Sequence, residues 1–431
     1  MRVTVTCVLL VVLAGCGGVA GPSDGTATPD TTATPTAEPL DETATDAPET
    51  ATPVPTERPM SFESNTTVEV VGGEYDGNAT RIFRRVARIV GADVRAPTVV
   101  IQSPNESDVR IYDDDRSPFR VSLGIVPAAQ DAEPSTGLAL GAYTAGENDT
   151  VYLYEGSNGD DVLLAHEFVH VIQGRMNWSD RVIDGLRQPD GNYTSDGIRT
   201  YRLLSEGGAT YVESRYQEHY TNPILNASQN QKYRYQSADS ALEMLNIGRY
   251  YLGTEHVDRQ VSSPRALGVV YESPPISTEQ VLHDSDDPIA DLNVSVAPGA
   301  WREHSSDRHG ELFVRAVLRE ELNRSTAVDA AAGWGVDRRV TYARGNETGT
   351  VWALRWDDAE NATEFETALG RFLDERSVRE DGLRHATDRN ATYRVVRPTD
   401  ETVVLLLGDE TFVGAADVSG TTANVTVDVA G

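Results

Sequence analysis

Two histidines four residues apart, with a glutamate after the first, stand in an apolar run: His166-Glu167-Phe168-Val169-His170 follows Leu163-Leu164-Ala165 and precedes Val171-Ile172. On a helix of about 3.6 residues per turn, positions i and i+4 lie one above the other, so both imidazoles reach a single tetrahedral ion. Zn²⁺ suits such ligands. Glu167, beside that face, is placed to take a proton from the water that the ion activates. Only eight histidines occur in 431 residues, and a solvated stripe would not set two of them among Leu163, Leu164, Phe168, Val171 and Ile172. Ionisable groups buried in this way need a partner such as a metal. The expectation is a hydrolase with one catalytic zinc ion.

The third ligand has to come from elsewhere. Gly at 173 and His at 176 would continue the motif into the metzincin pattern, but the chain has Gln173 and Met176, which excludes it. Glu206, in Leu203-Leu204-Ser205-Glu206-Gly207-Gly208-Ala209-Thr210-Tyr211, is the better candidate. Glycine within a helix costs about 1 kcal/mol relative to alanine, so the pair at 207 and 208 needs a cause. Close approach of a second helix to the metal helix supplies one. Glu213, two turns along the same face, competes for the role, as do the more distant Glu218 and His219. Glu213 fits better as an outer partner that orients a ligand histidine.

The Leu203–Tyr211 run resembles the Glu-Gly-x-Ala segment of gluzincins, zinc metallopeptidases in which a glutamate on a second helix completes a His₂Glu site. The resemblance implies His166, His170 and Glu206 as metal ligands and Glu167 as general base. It also implies an oxyanion donor, a Tyr or His some tens of residues beyond the glutamate, for which Tyr271 and His283 are the candidates. These two residues bound Tyr271-Glu272-Ser273-Pro274-Pro275-Ile276-Ser277-Thr278-Glu279-Gln280-Val281-Leu282-His283. That segment is similar to the Pro-Pro-x-Ser-Thr-Glu-Gln-x-Leu-His stretch of a group of prokaryotic metallopeptidase-like proteins. Gly310-Glu311-Leu312 and Ala331 to Arg338 have counterparts in the same group. His304 and His309, in a polar stretch before Glu311, read as solvated.

Several elements are expected to position these residues. Ala79 to Val90 has helical apolar spacing, and Thr98 to Ile101 reads as a strand. Strands at Gly137–Tyr143 and Thr150–Tyr154 flank an Ala-Gly-Glu-Asn-Asp turn. The second runs into the metal helix through Asn158, Asp160 and Asp161, which suit a helix N-terminus. A strand pair leading into such a helix is the arrangement of zincin peptidases, and substrate is expected to lie along Thr150–Tyr154 by β-addition. Beyond Arg338 the pattern is strand (339–343), strand (350–356), helix (363–373), strand (392–396) and strand (402–407). This order resembles a ferredoxin-like sandwich.

The N-terminus reads as an export signal. Met1-Arg2 precedes apolar Val3 to Leu13, too short for the roughly 20 residues that span a bilayer. Leu13-Ala14-Gly15-Cys16 resembles a lipobox, which implies lipidation of Cys16 and attachment to the outer face of the membrane. Cys7 leaves with the signal, so no disulfide is available. Residues 16–59, rich in Thr, Pro, Ala, Asp and Glu, cannot bury enough apolar surface to fold and read as a tether.

The net charge is −30, and Lys232 is the only lysine among 37 basic residues. This composition resembles that of proteins from salt-loving archaea, in which carboxylates keep the surface hydrated. It argues against nucleic acid as a partner, because phosphate binding needs the opposite field. Thirteen of the 17 asparagines lie in Asn-x-Ser/Thr sequons, the signature of surface glycan acceptors in an exported protein.

The expected architecture is α+β: a signal at 1–15, the tether at 16–59, a zincin-like metallopeptidase core of a strand pair plus active-site helices at 60–338, and a small α+β unit at 339–431. The expected function is a lipid-anchored cell-surface zinc metallopeptidase acting on a peptide or protein substrate. Two rivals are a surface adhesion module that binds zinc without turnover, and a non-peptide amide or ester hydrolase.

Overall fold

The computed structural model describes residues 66–103, 117–127, 142–145, 150–156, 160–297 and 299–429. The expected signal, Cys16 and the tether lie outside the described residues, as does 137–141 of the first hairpin strand. Among the described residues, no helix is long and apolar enough to cross a membrane.

The chain is α+β. Its first sheet is built from β1 (Glu69–Val71), β2 (Thr98–Gln102), β3 (Ala142–Ala145) and β4 (Thr150–Tyr154), in the order β1-β2-β4-β3. Between them run α1 (Ala79–Val90) and the short α2 (Pro118–Ser122). The α1 stripe Ile82, Phe83, Val86 and Val90 is buried, and the Asn78 side chain caps the helix by accepting from the Arg81 N–H at 2.8 Å. β4 pairs in parallel with β2 and antiparallel with β3. Both its edges are therefore taken, which overturns the expectation that substrate lies along Thr150–Tyr154. The antiparallel edge strand is β3.

From β4 the chain enters α3 (Asp161–Arg175), capped by Asp160, whose carboxylate accepts from the Val162 and Leu163 N–H groups. Every residue from Leu163 to Gln173 is buried, as a helix apolar nearly all round must be. α4 (Trp178–Leu186), α5 (Ser195–Tyr220), α6 (Ala227–Ser237) and α7 (Ala241–Gln260) follow, then a 3₁₀ segment at Pro264–Tyr271 and α8 (Thr278–His283). α5 and α7 cross at backbone contact: a Cβ on Gly207 would sit 2.2 Å from the Gly253 carbonyl carbon. A Cβ on Gly208 would instead meet the Tyr271 hydroxyl at 2.2 Å and the Gln173 amide at 2.9 Å. The glycine pair thus has two causes, and the closest helix approach is to α7 rather than to α3.

The remaining elements are β5 (Asn293–Val296), β6 (Arg302–Asp307), α9 (Glu311–Arg319), α10 (Arg324–Asp329), β7 (Trp334–Arg344), β8 (Glu347–Trp356), α11 (Ala359–Arg376), β9 (Ser377–Glu380), β10 (Leu383–Ala386), β11 (Thr392–Thr399), β12 (Thr402–Gly408), α12 (Glu410–Ala415), β13 (Ala416–Thr421) and β14 (Asn424–Val429). Seven strands form one antiparallel sheet, β6-β7-β8-β12-β11-β10-β9, and β13-β14-β5 form another. β12 is apolar from Val403 to Leu407 because both its faces are covered. Val403, Leu405 and Leu407 join the main core, whereas Val404 and Leu406 join a second core with Trp301, Phe412 and Val427. The sheet draws in Arg302–Asp307, upstream of residue 339, and β7 runs without a break through 338. The ferredoxin-like expectation fails on register: two hairpins, β7-β8 and β11-β12, meet through antiparallel β8 and β12. A split βαβ unit would put parallel strands side by side.

Candidate metal centre

α3 and α5 pack face to face and bring three donors together. Nε2 of His166 lies 3.2 Å from Nε2 of His170, and Glu206 Oε2 lies 3.4 Å from the His166 nitrogen and 3.6 Å from the His170 nitrogen. All three side chains are buried, and as a group they can hold a metal ion. The three ligands expected from the sequence are thus the three that converge.

Each imidazole is aimed by its other nitrogen. His166 Nδ1 is 2.9 Å from Glu213 Oε2, and His170 Nδ1 is 2.7 Å from Gln173 Oε1. Glu213 takes the outer position expected for it, seven residues beyond Glu206 on the same helix face. Gln173 was read from the sequence only as a departure from another motif. Its amide nitrogen donates to the Ser205 carbonyl at 2.8 Å and to the Tyr271 hydroxyl at 2.9 Å, which ties α3 to α5 next to Glu206. The helical offset from His170 to Gln173 was the available signal.

Glu167 is fully buried beside the triad. Thr144 on β3 donates to its Oε2 at 2.8 Å, whereas Oε1 is buried with no hydrogen-bond partner. Burial pushes the Glu167 carboxyl up, and the nearby His170 and His166 only partly offset that effect. Burial would lower the pKa of His166, yet the hydrogen bonds that its ring donates to Glu206 and Glu213 outweigh it and hold the pKa high. Glu206 is the reverse: burial raises it, and the two histidines pull it below the usual carboxylate range. Carboxylates this deeply buried require positive charge beside them, which a cation among the three donors would provide.

The other expected residues sit elsewhere. Tyr271 is buried and stacked on Trp178 at 5.0 Å, and its hydroxyl donates to the Leu204 carbonyl at 3.1 Å while accepting from Gln173. It buttresses His170 through Gln173. His283 is bound to Glu311 at 3.0 Å and to Arg315, with no triad residue among these partners. His304 is exposed as expected. His309 is not: it is packed against Phe119 and Phe313 at ring distances of 5.0 and 4.5 Å, and burial holds its pKa well below the usual imidazole range.

The segments around Thr278, Gly310 and Asp337 form one network around the start of α5. Asp196 accepts from the Thr278 N–H at 3.0 Å, from the Thr278 hydroxyl at 2.8 Å and from Arg308 at 3.1 Å. Asp337 accepts from the His309 and Gly310 N–H groups and from the Trp352 indole. Gly310, at φ +80°, leaves no room for a side chain beside Asp196.

A family described as a domain of unknown function, DUF8575, matches residues 298–419. That stretch covers β6 to most of β13 and contains none of the three donors. No curated protein and no solved structure matches the chain.

Proposed function

We propose that the protein is a zinc-dependent peptidase, exported and lipid-anchored through Cys16 at the outer face of the cell. One observation carries the reading: three buried donors surround a point beside a buried glutamate oxygen that has no other partner. Atoms bound to tetrahedral zinc at about 2.0–2.1 Å lie roughly 3.3–3.4 Å apart, and the separations here are 3.2, 3.4 and 3.6 Å. His₂Glu is also a donor set of catalytic rather than structural zinc sites, which use four protein ligands.

Zinc held by His166, His170 and Glu206 supplies a Lewis acid that polarises a carbonyl and acidifies water. Glu167 takes the proton of the attacking water through Oε1 and returns it to the departing amine. Thr144 fixes the orientation of that carboxylate by holding Oε2. The raised affinity of Glu167 for protons suits a group that must carry one between two steps. The β3 strand bears Thr144 and is the edge of its sheet among the described residues, so an extended peptide pairing with it would lie across Glu167.

The test is Glu167→Gln, which keeps size and hydrogen-bonding capacity. Zinc content and fold should persist while peptide turnover falls about 10²–10⁴-fold. Full-rate proteolysis by the variant would refute the mechanism. Absence of turnover in both forms across a broad peptide library in molar salt would favour a zinc-binding surface module.

A further inference from the structure

A recess of about 290 Å³ opens beside the metal centre, with His166 and Glu213 at its inner end. This is close to the lower end of small-molecule sites, about 300 Å³, and large enough for one bulky side chain. Leu163 and Tyr250 form its apolar walls, the Tyr250 ring centroid lying 6.2 Å from that of His166. Its mouth is Leu225, 50% exposed, next to Ile224, which is fully exposed. This apolar lip is pinned at its base: Asn226 closes a capping box with Gln229, and Gln217 accepts from the Ala227 N–H at 2.6 Å. Large apolar residues held out in water next to a catalytic cleft are the mark of a binding surface.

Apart from His166, the charged side chains lining the recess are carboxylates. They are Asp160 and Glu213, and neither Lys nor Arg lines the recess among the described residues. Asn230 on α6 adds an exposed carboxamide. We propose that this recess receives the substrate side chain next to the scissile bond, accepting large side chains with an apolar stem and rejecting acidic ones. An acidic side chain there would lose water and meet two carboxylates, with no Lys or Arg in the lining to pair with it. The inference rests on the peptidase reading for the identity of the ligand, and on the recess for its selectivity.

The experiment uses the full zinc-loaded chain and a series of peptide hydroxamates differing in one side chain: Leu, Phe, Gln, Arg or Glu. Binding is measured by calorimetry at the lowest salt that preserves the fold, because salt screens the discrimination. The Glu ligand should bind at least tenfold more weakly than the Gln ligand. Asn230→Arg should bring the two within threefold, and Leu225→Ser should weaken the Leu and Phe ligands at least fivefold. Equal binding of the Glu and Gln ligands by the wild type, or no response to either variant, overturns the proposal. Selective hydroxamate binding without cleavage of the matching peptides would instead sink the peptidase reading and leave the recess standing. Cleavage without any side-chain preference would do the reverse.

Discussion

Glu213→Gln tests whether the outer partner of His166 tunes the metal. The substitution leaves an acceptor within reach of Nδ1 and removes one negative charge. From the Glu213 carboxylate to the metal position is 2.9 Å to Nδ1 plus about 4 Å across the ring and one Zn–N bond, about 7 Å in all. A unit negative charge and a dication at that separation interact by about 5 kcal/mol at an effective dielectric of 20. Much of this is lost to the water and protons that compete for the metal-free site, where Glu213 also steadies a protonated His166. Substitutions of such partners typically cost 10–100-fold in metal affinity, or about 1.4–2.7 kcal/mol. Zinc affinity should therefore fall 10–100-fold in Glu213→Gln, measured by competition with a chromogenic chelator, with circular dichroism confirming the fold. Glu206→Ala, which removes a ligand outright, should cost more. An unchanged dissociation constant for Glu213→Gln would refute the coupling, and a larger loss there than in Glu206→Ala would make Glu213 the third ligand.

Gly207→Ala should destabilise the fold by about 3 kcal/mol or more, because its methyl must displace the Gly253 backbone at a packed crossing. Gly185→Ala in α4, where a Cβ meets nothing within 4 Å, should instead stabilise by about 0.5–1 kcal/mol; equal denaturation midpoints for the two variants would refute the assigned crossing. Burial, helped by Glu311 and Asp357, pushes the Glu279 carboxyl up to about 7, so the folded state holds this proton more tightly than the unfolded one does. That contribution is fully present below about pH 4.5 and lost as pH rises through 7, so Glu279→Gln should flatten the stability difference between pH 5 and 8 by about 2–3 kcal/mol; parallel pH profiles would count against it. Cys16→Ser should release the exported protein from the membrane fraction, and a variant that is still processed and membrane-bound would defeat the lipid anchor.

The three converging donors were legible in the sequence because local geometry marks them. Four-residue spacing puts His166 and His170 on one helix face, and the glycines after Glu206 mark a helix with a close neighbour. The identity of that neighbour was not legible. Gly207 answers to Gly253, 46 positions along the chain, and Gly208 answers to Tyr271 and Gln173, contacts that only the packed helices define. Thr144 is equally silent as sequence, since one threonine in a short strand carries no pattern until β3 lies over Glu167. Apolar runs announced β8 and β12, which are buried on both faces. β6 (Arg-Glu-His-Ser-Ser-Asp) and β9 (Ser-Val-Arg-Glu) carry no alternation, because edge strands stay short and polar to discourage further pairing.

The misread residues share a physical origin. The resemblance to gluzincins made Tyr271 and His283 candidate oxyanion donors, and the polar stretch around His309 made it read as solvated. Their surroundings decide otherwise. Tyr271 uses its hydroxyl on both sides of the α3–α5 contact, His283 sits against the Glu311–Arg315 pair, and His309 is a buried ring stacked against two phenylalanines. Around them Asp196, Thr278, Arg308 and Asp337 join the start of α5 to the seven-stranded sheet. α5 carries both Glu206 and Glu213. Buried hydrogen bonds to a charged group contribute about 1.5–3 kcal/mol each, so this network fixes where α5 begins, and through one rigid helix it helps fix where Glu206 stands.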